Sequence, residues 1–113
     1  MGYLLLAAAF YFVVTARQVE ERGIASWYGP GYEGNLTANG ERFNKRAMTA
    51  AHKKLPFGTH VRVHDVKTGR SVDVRINDRG PFIAGRIIDL SEGAAEVLGI
   101  KQQGLADVEL EVL

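Results

Sequence analysis

Three side chains able to handle protons stand beside turns in this sequence. Asp78 ends the alternating segment Ser71-Val72-Asp73-Val74-Arg75-Ile76-Asn77 and precedes Gly80-Pro81, where a strand must break. A strand end beside a tight turn lies at the rim of a sheet or barrel. A carboxyl sheltered there, with a raised pKa, can serve as a general acid. Glu41 follows Asn39-Gly40, a predicted tight turn, and offers a second carboxyl. His52 closes Thr49-Ala50-Ala51-His52 and can donate to a ligand or hold a carboxyl in place. Each also has a plainer reading: Asp78 as a turn residue paired with Arg79, Glu41 as a solvated loop charge, His52 as a satisfied structural histidine.

Other chemistries have less support. His60 and His64 stand four apart, which is metal-ligand spacing on a helix. Here they fall in a strand pattern with no carboxylate partner evident, so no metal is expected, and no cofactor. The sequence has no cysteine, which excludes a disulfide framework, a thiol nucleophile and a lipid-modified cysteine. A formal net charge of +1 and the lack of a basic stripe argue against nucleic acid as a partner.

The elements that must carry these residues are short. In 113 residues, with 46% apolar and 24% charged, there is room for one core. Tyr3 to Val14 is an unbroken apolar run, long enough for the core of a signal peptide and short of the ~20 residues that span a membrane. Residues 1–22 are therefore expected to be a signal peptide or membrane-anchor segment, with possible membrane attachment through residues 3–16. Residues 23–113 form the folded domain. His60–His64 and Ser71–Ile76 alternate at the period of half-buried strands, joined by a predicted hairpin at Lys67-Thr68-Gly69-Arg70. Gly23–Tyr28, Ala47–Ala51 and Val108–Val112 are three further predicted strands. One helix is predicted: Ser91 caps it, Ala94, Ala95 and Leu98 form its packing stripe, and Gly99 stops it. Many short strands and one short helix favour a small closed barrel, which removes exposed edges.

Four segments, in this order, carry a family resemblance. They are Ala25-Ser26-Trp27-Tyr28-Gly29, Leu36-Thr37-Ala38-Asn39-Gly40-Glu41, Thr49-Ala50-Ala51-His52 with Leu55-Pro56-Phe57-Gly58-Thr59, and Asn77-Asp78-Arg79-Gly80-Pro81-Phe82 leading to Arg86-Ile87-Ile88-Asp89-Leu90-Ser91. Together they resemble the rare lipoprotein A (RlpA) family of septal-ring lytic transglycosylases. The resemblance implies a mainly β fold, a six-stranded double-psi β-barrel with one short helix, preceded here by the N-terminal hydrophobic segment. It implies endolytic cleavage of the MurNAc–GlcNAc bond of peptidoglycan without water, leaving 1,6-anhydro-MurNAc ends. In such a reaction one carboxyl can suffice: it protonates the leaving oxygen, then collects the proton of the attacking muramyl C6 hydroxyl.

On the same resemblance Asp78, Glu41 and His52 are the expected catalytic residues. Tyr28, Thr37, Asn39, Asn44 and Asn77 are expected to bind substrate. Trp27 and Phe82 are expected to pack in the core, and Asp89 to brace the helix start or the barrel. The sequence departs from the family at Asn44, where many members have Asp, and in having no cysteine to acylate. The expected partner is the peptidoglycan glycan strand, acted on by a monomer in the bacterial cell envelope, periplasmic or secreted. The alternative function is a non-catalytic, expansin-like wall-binding module.

Overall fold

The computed structural model describes residues 19–113; the apolar run 3–14 and the expected attachment segment 3–16 lie outside the described residues. Six strands close into one barrel: β1 (Glu21–Trp27), β2 (Thr49–Ala51), β3 (His60–Asp65), β4 (Ser71–Asp78), β5 (Arg86–Leu90) and β6 (Ala106–Val112). Around the barrel the order is β1, β5, β2, β4, β3, β6, and β6 returns to β1. Two neighbouring pairs, β1 with β5 and β2 with β4, run parallel, and the other four are antiparallel. The expected mainly β barrel with a single described helix is therefore the fold that forms.

The alternation seen in sequence sets the packing. Val61 and Val63 of β3, Val72, Val74 and Ile76 of β4, and Val108 and Leu110 of β6 are buried, and the residues between them are more exposed; the pattern breaks at Asn77, which is buried next to Ile76. Helix α1 (Glu92–Leu98) plugs the barrel with Ala94, Ala95 and Leu98. Ser91 Oγ accepts the Ala94 amide at 3.1 Å, and Gly99 ends the helix at φ 85°. The β3–β4 hairpin turns at Gly69, as the sequence predicts, with φ 76°.

Several elements differ from the sequence reading. β1 begins at Glu21, because Glu21 and Arg22 already pair with Leu110 and Glu109 of β6. β2 is only Thr49–Ala51. β5 has no clean alternation to announce it: Ile88 and Leu90 point into the core, but Ile87 is also partly buried.

Two irregularities aim the site. Between β2 and β4 the pairs are Ala50 with Ile76 and Ala51 with Asp78, so Asn77 is an extra residue on β4. Between β1 and β5 the pairs are Ile24 with Arg86 and Ala25 with Ile88, so Ile87 is the extra residue there. Such bulges bend a strand and re-aim the side chains after them. Beyond both bulges, Ser26, Asp89, Ala51 and Asp78 fall in one row across β1, β5, β2 and β4.

Candidate active site

Asp78, at the end of β4, is held by three donors. The Tyr28 hydroxyl donates to Oδ2 at 2.7 Å, and the amides of Ala38 and Arg79 donate to Oδ1 at 2.9 Å each. Both carboxylate oxygens are acceptors in this arrangement, and among the described residues no cation bonds to either. The Arg79 side chain turns away, as neighbours on a strand do. Its guanidinium donates to the carbonyls of His52 and Leu55 and lies 4.0 Å from the centre of the Phe57 ring. Arg79 therefore clamps the 52–57 loop rather than neutralising Asp78.

Tyr28, the residue after β1, positions the carboxylate. Its ring packs on Phe43 (4.8 Å between centroids) and edge-on to Tyr32 (5.5 Å). Burial first, and the hydrogen bond to Asp78 second, push the phenol's pKa up, so it remains a donor. Tyr28 was expected to bind substrate. Its hydroxyl is engaged by Asp78, while the residue lines the adjoining grooves.

Glu41 sits in a different setting. Arg75 of β4 grips it with both guanidinium nitrogens, at 2.7 and 3.1 Å. That pairing, helped by the Asn39 and Asn77 amides and opposed by burial, lowers the Glu41 pKa to about 2. The ion pair favours the ionised form of the carboxyl. The chemistry its position supports is positional: it ties the 36–42 loop to β4. Asn39 shares that work, accepting from the Thr37 hydroxyl (2.6 Å) and the Glu41 amide (3.1 Å) and donating to Glu41 (3.1 Å). The Asn39 amide also reaches the Asn77 carbonyl at 3.3 Å. The predicted turn is present, with Gly40 at φ 92°. Thr37, Asn39, Glu41 and Asn77 are thus gathered beside Asp78, chiefly bonded to one another. Asn44 is set apart, closing a local turn onto the Arg46 amide at 3.0 Å.

The His52 ring is buried and engaged at both nitrogens. Nδ1 accepts the amides of Lys54 and Leu55 at 3.1 Å each, so the hydrogen lies on Nε2, which donates to Glu21 at 2.8 Å. The link from His52 to Asp78 is through the main chain, the His52 amide donating to the Asp78 carbonyl at 3.1 Å.

A groove of about 350 Å³ is lined by Tyr28 and Arg79, the bonding partners of Asp78, though Asp78 itself is not part of the lining. Its lining includes Tyr28, Tyr32, Arg79, Phe82, Arg86 and Asp89. Phe82, expected in the core, is 80% exposed at the groove's edge, because Gly80 and Pro81 turn the chain outward there. Trp27 meets the expectation, packing against the core with its indole nitrogen on the Lys101 carbonyl at 3.0 Å. Asp89 was expected to brace the helix start or the barrel; Ser91 caps the helix, while the Asp89 carboxyl accepts from Ser26 Oγ of β1 at 3.1 Å, a link between β5 and β1, and borders the groove. Burial, and then the negative charge of Asp78, raise its pKa; the Ser26 hydrogen bond and Arg86 oppose them. Reading Arg86–Leu90 as a strand with Ile88 and Leu90 inward would have found Asp89 on the outer face. Among the described residues no cluster of acidic or histidine side chains could hold a metal ion.

A closed double-psi barrel with carboxyls gathered at one mouth defines a class of small barrel whose chemistry sits in a surface groove. The model of a family described as lytic transglycolase matches residues 20–110. A Synechocystis protein named probable endolytic peptidoglycan transglycosylase RlpA is 62% identical over 91 residues, covering 80% of this chain and 28% of the relative. A Campylobacter jejuni protein named endolytic peptidoglycan transglycosylase RlpA is 49% identical over 111 residues, covering 98% of this chain and 40% of the relative. The chain belongs to the RlpA family. It spans less than half the length of these curated relatives. Among solved structures, a Streptomyces papain inhibitor superposes with a TM-score of 0.64 at 19% identity, covering 87% of this chain and 99% of the inhibitor. An expansin from Clavibacter michiganensis superposes at 0.62 and 26% identity, covering 81% of this chain and 49% of the expansin. The inhibitor's likeness is one of fold alone.

Proposed function

We propose that this protein is an endolytic peptidoglycan transglycosylase, which cleaves the MurNAc–GlcNAc bond without water and leaves 1,6-anhydro-MurNAc ends. The observation that carries the reading is Asp78: a carboxylate at the barrel mouth, held by Tyr28, Ala38 and Arg79 amide or hydroxyl donors, with no cation on it among the described residues, and with Tyr28 and Arg79 lining an open groove. The names of the relatives support the substrate. Asp78 is the catalytic group: a carboxylate that only accepts hydrogen bonds is set to take the proton of the C6 hydroxyl as its oxygen attacks C1. Tyr28 and the Thr37–Glu41 loop position Asp78, with Glu41 acting through Arg75 and Asn39. His52 fixes the neighbouring strand end through Glu21 and the 54–55 amides. Exposed Phe82 and the ring of Tyr32 offer apolar faces to sugar rings along the groove.

A peptidoglycan substrate puts the protein in the cell envelope, in the periplasm or secreted. Attachment through residues 3–16 and action as a monomer belong to the same reading. Mass spectrometry of the products from the purified protein and intact glycan strands tests it. Anhydro ends are the expected result. Water-added reducing ends would make the protein a hydrolase, and retention on the glycan with no new ends would make it a wall-binding module.

A further inference from the structure

The transglycosylase reaction needs two opposite services. One group must give a proton to the departing glycosidic oxygen, and another must take one from the C6 hydroxyl. Asp78 has both oxygens filled by donors, the arrangement of a group that accepts. Glu41 is locked to Arg75. A proton donor must come from elsewhere on the groove.

Asp89 has the placement such a donor needs. In the strand register Asp89 and Asp78 flank Ala51, one on β5 and the other on β4. Two strand spacings put their backbones about 10 Å apart. The small side chain of Ala51 between them adds little bulk. Only one Asp89 oxygen is bonded, to Ser26 Oγ at 3.1 Å; Oδ2 has no hydrogen-bond partner among the described residues. The half-buried carboxyl borders the groove, and Tyr28, also on the groove wall, carries the hydrogen bond to Asp78. We propose that Asp89 is the proton donor of the reaction and Asp78 its proton acceptor, so that two carboxyls divide the work.

This assignment rests on the transglycosylase reading. In the step, the Asp89 proton passes to the glycosidic oxygen, and the C1–O bond breaks with its electron pair going to that oxygen. The muramyl C6 oxygen bonds to C1 and its proton passes to Asp78. Asp89 ends ionised and Asp78 protonated, and exchange with solvent restores both. No water is consumed. The environment fits the division. The groups acting on Asp89 are Ser26 of β1, Arg86 of β5 and Asp78 of β4; burial and Asp78 favour its protonated form, while Ser26 and Arg86 oppose.

The test compares intact glycan strands with a MurNAc-containing oligosaccharide whose leaving group is 4-methylumbelliferone, which departs without help from an acid. Asp89→Asn keeps an acceptor for Ser26 and removes only the proton. It is expected to lose ~10²–10⁴-fold on glycan strands yet stay within ~10-fold of wild type on the aryl substrate, whereas Asp78→Asn loses both. Strand cleavage by Asp89→Asn within a few-fold of wild type overturns the assignment, and so does an equal loss on both substrates by a folded variant. If Asp89→Asn does not fold, Ser26→Ala decides. Removing the hydrogen bond that opposes the raised pKa must shift the alkaline limb of the kcat/KM profile on strands to higher pH, and an unmoved limb overturns the proposal. The wild type tests the parent reading separately. Reducing ends in place of anhydro ends would end the transglycosylase reading and leave the Asp89 comparison to be read on those products. No products at all would end both.

Discussion

The acids on the barrel's flank and those at its mouth have the same functional group and opposite surroundings. On the flank Asp107 pairs with Arg22 and Asp73 with Arg62, and beside the mouth Glu41 pairs with Arg75, at 2.7–2.8 Å for the shortest contact of each. In each pair the arginine lowers the acid's pKa. At the mouth, no guanidinium among the described residues bonds to the carboxyl of Asp78 or Asp89. Their partners are amides and hydroxyls. Arg79 is close in sequence to Asp78 but is spent on carbonyls and Phe57. A cation fixes a carboxyl's charge and makes it a fastener. At Asp89, where no cation is bonded among the described residues and the carboxyl is half-buried, burial instead raises the pKa.

The largest expected effect breaks the mouth itself. Asp78→Asn should reduce the formation of anhydro ends ~10²–10⁴-fold, while far-UV circular dichroism stays that of the wild type. An active Asp78→Asn protein would remove the central claim. Tyr28→Phe is the finer cut. It deletes one donor to Asp78 and keeps the ring packed on Tyr32 and Phe43. A hydrogen bond to a charged group contributes about 1.5–3 kcal/mol, so kcat should fall roughly 10- to 100-fold with KM little changed. A change in KM alone would instead make Tyr28 a binding residue.

Much of this contrast was legible in the sequence. Asp78 stood out because a strand pattern ended against Gly80-Pro81, and the Asn39-Gly40 turn put Glu41 in the same loop system. What the sequence hid was pairing at long range. Arg75 lies 34 residues from Glu41, and Glu21 lies 31 from His52. Only barrel closure brings them together, and no local spacing encodes it. Asp89 was hidden for another reason. The Ile87 bulge spoils the period of two in Arg86–Leu90, so the outer face of that strand could not be read. Phe82 shows the limit of composition: a large apolar residue is expected inside, yet the turn before it sends it out.

The arginine-paired acids can be tested by stability. Glu41→Gln breaks the pair with Arg75 and should lower stability by about 0.2–1 kcal/mol near neutral pH, since the pair is solvent-screened. The Glu41 pKa is lowered in the fold, to about 2. Its contribution is therefore full above the ordinary glutamate range and disappears as pH falls from about 4.5 toward 2. Urea midpoints of wild type and Glu41→Gln should converge across that window. Activity should fall only as far as the loop loosens around Asp78. A loss as large as that of Asp78→Asn would put Glu41 at the reacting centre.

The smallest effect has the opposite sign, which makes it the most discriminating. Asp89 has a raised pKa in the fold, with burial the first cause. Above that raised value the folded protein holds a charge that the unfolded chain would hold more easily, so the ionised group costs stability. Below the ordinary aspartate range, about pH 3.9, both states are protonated and the cost vanishes. Asp89→Asn should therefore unfold slightly later than wild type at pH 8, by up to a few degrees, with the difference closing as pH falls below about 4. A carboxyl kept to brace the barrel would behave in reverse, because its removal would loosen the fold at every pH where it is ionised. A variant that is more stable and yet cannot cleave glycan strands would mark Asp89 as a group that costs the fold stability for the sake of the groove.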